Sequence, residues 1–74
     1  IELYPNPTSD RLNITGIEAG YRIQVLSSVG SVIRDMKAQS SIEVLSLDDL
    51  PAGMFIIVIS NNNKMLGSFK AIRK

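Results

Sequence analysis

Cysteine, histidine and tryptophan are all missing from this 74-residue chain. Without histidine the usual general base at neutral pH is gone, and without cysteine so are disulfides, thiolate nucleophiles and the commonest soft metal ligands. A Ser-His-Asp triad, a cysteine protease and a zinc site are therefore all excluded. With no disulfide to help, packing alone must hold a fold this small. Charge is also scarce: a net charge of +1 leaves no electrostatic footprint for nucleic acid. No apolar stretch approaches the roughly 20 residues needed to span a bilayer. Nor does a basic-then-apolar leader or an initiator methionine precede Ile1, and the sequence reads as a piece of a longer protein. Glycine-rich phosphate loops, amphipathic helices, linkers, repeats and low-complexity tracts do not occur.

What is present suits one small globular unit, a single domain over residues 1–74. Hydrophobic residues make up 45% and charged ones 20%, enough apolar surface to build one core. The periodicity is two, which predicts strands. Leu12 and Ile14 alternate with Arg11 and Asn13; Tyr21, Ile23 and Val25 alternate with Arg22 and Gln24. Gly30 follows in a turn and supplies the positive φ that a tight connection requires, so residues 21–36 should form an antiparallel hairpin. Ile42-Glu43-Val44 predicts another half-buried strand, with Leu45 breaking the alternation at its end. Asp48 or Asp49 is positioned to cap a single helical turn with Leu47 and Leu50 tucked inward, cut short by Pro51 and Gly53. Residues 54–59 are apolar on both faces, the pattern of a central strand covered on both sides. Asn61-Asn62-Asn63 tolerates left-handed backbone and predicts a hairpin into the last strand. With Glu2-Leu3-Tyr4 at the start, this makes about seven short strands: an all-β chain forming a small antiparallel, immunoglobulin-like sandwich.

The remaining polar residues offer little chemistry. Ser60 with Lys64, or Ser68 with Lys70, is a nominal Ser-Lys pair, but nothing in the pattern buries either lysine to lower its pKa. Asp48 and Asp49, even with Asn61 to Asn63, lack the regularly spaced oxygens of a calcium loop and read as turn residues, so no metal or cofactor is expected. Asn13-Ile14-Thr15 matches a glycosylation acceptor but falls inside a predicted strand. Tyr4, Tyr21, Phe55 and Phe69 are read as core or capping positions rather than a sugar platform. All acids lie before residue 50, whereas Lys64, Lys70, Arg73 and Lys74 carry the end of the chain alone. That basic terminus either protects an exposed terminal strand from pairing or docks on an acidic partner.

Two punctuation marks frame the pattern. Leu3-Tyr4-Pro5-Asn6-Pro7 leads into Leu12-Asn13-Ile14, and Leu47-Asp48-Asp49-Leu50-Pro51-Ala52-Gly53-Met54-Phe55 precedes the apolar strand. With Tyr21-Arg22-Ile23-Gln24-Val25 and Gly30-Ser31-Val32-Ile33 between them, the chain resembles, over nearly its whole length, a type IX secretion C-terminal sorting domain. Phe55 stands where that family usually has tyrosine, and the end runs slightly past the single lysine with which such domains often finish. The resemblance implies a non-catalytic address label behind an N-terminal cargo domain, in Gram-negative bacteria of the Bacteroidetes group. It implies passage through the periplasm to the cell surface or medium, recognition by an outer-membrane translocon, and removal by a sortase-like peptidase. The recognition candidates are Pro5, Asn6, Pro7, Gly30, Leu50, Pro51 and Gly53, in loops, with Lys70, Arg73 and Lys74 presenting edge and charge. A dimer through an exposed strand is a further expectation. The alternative is an adhesion or carbohydrate-binding sandwich that stays on its parent enzyme.

Overall fold

Strands that alternate apolar and polar residues can hide only one face each, so they must stack in pairs of sheets. The computed structural model, which describes residues 1–74, shows seven of them and no helix. They are β1 (Glu2–Tyr4), β2 (Arg11–Thr15), β3 (Arg22–Ser27), β4 (Val32–Lys37), β5 (Ile42–Ser46), β6 (Gly53–Asn61) and β7 (Lys64–Arg73). A three-stranded sheet has the order β1-β2-β5 and a four-stranded sheet the order β4-β3-β6-β7, all pairs antiparallel. This is the small immunoglobulin-like sandwich expected from the turn spacing.

The core is the seam between the two sheets. Leu12 and Ile14 of β2 and Leu45 of β5 face Ile23 and Val25 of β3, Phe55, Ile57 and Ile59 of β6, and Ala71 of β7. Leu47, Ile17 and Ala38 close its margins from the connections. The β3–β4 hairpin turns at Gly30, whose φ of 92° is one that side chains with a Cβ rarely adopt. Asn62 and Asn63, at φ 52° and 65°, turn the β6–β7 hairpin as their side-chain chemistry allows.

Four expectations need correction. Residues 47–50 make a β-turn, with the Leu50 amide donating to the Leu47 carbonyl at 3.1 Å, and no helical turn forms. Pro51 drives its predecessor out of the helical region. In β5 the alternation is real but its phase is inverted: Leu45 is buried, whereas Ile42 and Val44 are more than half exposed. Leu45 pairs with Leu12 and Leu47 follows it inward, so these two leucines outcompete Ile42 and Val44 for the core. Central β6 is covered on one side only, because a two-layer sandwich has no third layer to place over Ile56 and Val58. Tyr4 is exposed on the outer face, while Phe55 is buried and Tyr21 and Phe69 pack partly buried against the core.

Gly67 stands where β7 has no room for a side chain. A Cβ there would lie 2.6 Å from the ring of Phe69, two residues along on the same face. Gly67→Ala must therefore displace that ring from its seat against the core, at a cost of about 1–3 kcal/mol. Denaturant titration checks it. A much smaller cost when Phe69 is already alanine would identify the ring as the cause.

Candidate recognition surface

The registers carry all the sequence-derived candidates to one end of the sandwich. Gly53 at the start of β6 pairs with Arg73 at the end of β7, Phe55 pairs with Ser27 just before the Gly30 turn, and Arg11 pairs with Ser46 just before the Leu50-Pro51 loop. The Pro5-Asn6-Pro7 loop, between β1 and β2, emerges at this same end. Both prolines follow cis peptide bonds. Gly53 has a φ of 143° and open space where a Cβ would be, so its backbone shape, not crowding, sets the glycine.

Asn6 stitches the two sheets together. Its side-chain amide donates to the Lys70 carbonyl at 2.7 Å, and its side-chain oxygen accepts from the Ile72 amide at 3.0 Å. A carboxamide carries the same donor and acceptor as a peptide unit, so Asn6 acts as an extra rung on the free edge of β7. The flanking prolines, having no N–H, cannot donate such a bond from their own backbone. Thr8 continues the rung: its amide donates to the Ile72 carbonyl, and the Lys74 amide donates to the Thr8 carbonyl, both at 2.8 Å. Thr8 and Arg73 thereby form a parallel bridge, and the Thr8 hydroxyl donates to the Arg11 carbonyl. The basic terminus is thus an edge strand whose last residues are already covered by the β1–β2 loop.

Ion pairs and caps hold the neighbouring loops. Arg34 of β4 reaches across to the Ser46 carbonyl, at 2.7 Å, and to the Asp49 carboxylate, tying β4 to the β5–β6 loop. The Ser46 hydroxyl donates to Asp48 at 2.7 Å and is the main cause of a carboxyl pKa below the usual value. Arg73 turns back so that its guanidinium meets the Asp48 carbonyl at 3.4 Å, whereas Lys70 and Lys74 project into solvent. At the far end of the sandwich Arg22 pairs with Asp35, whose carboxyl is held below its ordinary range chiefly by that hydrogen bond. Arg22 and Asp35 are both solvent-exposed, so the pair contributes little stability. Asp48 precedes β6 and Asn61 is its last residue, so the two stand at opposite ends of the sandwich and do not converge on one cation. Asn13 donates to the Tyr4 carbonyl at 3.1 Å from within β2, as an ordinary strand residue does.

Sequence reasoning missed Thr8 and Arg34, and with Arg34 the partner of Asp49. A lone threonine in a polar turn carries no local sign that it will be buried, yet Thr8 is the one buried polar residue. The Arg34–Asp49 pair joins residues 15 positions apart and is visible only once β4 and the β5–β6 loop are neighbours.

Residues 2–72 match the family described as the secretion system C-terminal sorting domain. The chain is also similar to ulvan lyase NLR42 of Nonlabens ulvanivorans, with 35% identity over 69 residues, 88% of this chain. It spans only 13% of the length of that relative. The match over nearly the whole chain, carried on an all-β sandwich, shows the family: the chain belongs to the secretion system C-terminal sorting domain family, and is a non-catalytic domain that directs export to the cell surface or medium.

Proposed function

We propose that the stitched end of the sandwich is the address that an outer-membrane type IX translocon reads on cargo arriving through the periplasm. The 74 residues form one C-terminal domain of a longer protein, and a sortase-like peptidase removes it by cutting before or near Ile1. The cargo is then released or joined to anionic lipopolysaccharide. Pro5, Asn6, Pro7, Gly30, Leu50, Pro51 and Gly53 set the loop shapes, and Lys70 and Lys74 supply exposed charge that speeds encounter more than it tightens binding. Arg73 acts from within, by holding the Asp48 loop. The observation that carries this reading is the Asn6 rung, which couples the segment nearest the cargo to the terminal strand through 2.7 and 3.0 Å hydrogen bonds.

A periplasmic reporter fused ahead of the domain tests it. Export should fall at least tenfold when residues 65–74 are deleted. It should fall equally when the intact domain, still folded by circular dichroism, is moved to the middle of the fusion. Unchanged export in either case overturns the proposal.

A further inference from the structure

The two sheets treat their solvent-facing sides differently. In the three-stranded sheet the central strand β2 turns Arg11, Asn13 and Thr15 outward, so polar residues separate the exposed Tyr4 of β1 from Ile42 and Val44 of β5. In the four-stranded sheet, central β6 turns Met54, Ile56 and Val58 outward as well as burying Phe55, Ile57 and Ile59. Register extends this apolar face sideways. Ile56 pairs with Leu26, which pairs with Val32, and Met54 pairs with Ile72. Val32, Met54 and Ile72 are exposed, and Ile56 and Val58 are half-buried. A contiguous apolar patch of this kind marks an interaction surface.

Charge selects the occupant. Of the basic residues on the strands of this sheet, Arg34 and Arg73 turn away to the β5–β6 loop, whereas Arg22, Lys37 and Lys70 lie on the outer face with the single acid Asp35. Asp35 is already engaged by Arg22. Lys70 stands in the same cross-strand row as Ile56, and Lys37 in the row of Arg22, so exposed lysines flank the patch with no acid to answer them. Two copies stacked through this face would bring like charges together, which argues against a second copy of the chain. Taking the sorting role as its premise, we infer that the outer face of the four-stranded sheet docks on a protein surface with an apolar ridge flanked by carboxylates. This contact adjoins the loop end at Lys70 and Ile72 and gives the translocon a second, flat point of engagement.

Reporter fusions test this with two variants that spare the core and the loop end: Ile56→Thr with Val58→Thr, and Lys37→Glu. Each should lower export at least fivefold while the purified domain still melts cooperatively. Ile42→Thr with Val44→Thr, equally apolar losses on the other sheet's outer face, should leave export unchanged. Equal effects from both faces overturn the inference. So does binding of the purified domain to vesicles of mixed zwitterionic and anionic phospholipid that charge reversal abolishes, which would assign the face to lipid. A micromolar dimer abolished by the Ile56/Val58 variant would assign it to a second copy and overturn it too. A fusion lacking all 74 residues separates the premise: if it is exported normally, the sorting role fails, whereas lost export with unaffected face variants sinks the docking face alone.

Discussion

Replacing Ile57 with alanine is expected to destabilise the domain by about 2–5 kcal/mol, the cost of a cavity at a well-packed core position. Ile57 is fully buried at the middle of β6, paired with Val25 on one side and Phe69 on the other, so several neighbours would have to move to refill the space. A chain of this length commands only roughly 4–11 kcal/mol in total, at roughly 0.05–0.15 kcal/mol per residue. The variant should therefore lose a large part of its stability, with a fall in urea midpoint at unchanged slope and reduced export of a fused reporter. Ile56→Ala, one residue along but facing outward, should cost well under half as much. Equal costs at the two positions would show that β6 does not distinguish its faces, and the assignment of the core would fail.

Asn6→Ala should cost about 1–3 kcal/mol although the side chain is exposed. The change removes both rungs to β7 and leaves the Lys70 carbonyl and the Ile72 amide to find water. In a domain of this size each kcal/mol corresponds to a fall in melting temperature of about 4–8 °C. Asn6→Asp separates the two bonds. The carboxylate still accepts from Ile72 but now faces the Lys70 carbonyl oxygen, so it should be no better than alanine near neutral pH. Amide hydrogen exchange at Ile72 and Lys74 would report the loosened edge directly. If both variants melt like the parent, the loop does not hold the terminal strand, and the coupling between the cargo-proximal segment and the C-terminus disappears with it.

These two residues also mark the limits of local reading. Ile57 sits in the most apolar run of the chain, and its place in a central strand follows from composition alone. The importance of Asn6 was suggested by the prolines around it, but its partners lie 64 and 66 residues away. No window of sequence contains both ends of such a bond. Thr8 and the Arg34–Asp49 pair were invisible for the same reason.

Period-two alternation, and turn residues whose backbone preferences are intrinsic, determined that this chain makes short strands and where it bends, and composition alone determined that it carries no histidine or cysteine. Those properties belong to each residue and its immediate neighbours. Only the assembled sandwich decided which phase of each alternation faces inward, because burial is a competition among all apolar residues for one seam. Leu45 and Leu47 took the inside of the small sheet and left Ile42 and Val44 in water. Two layers cannot cover both faces of β6, and so its second apolar face was left outward.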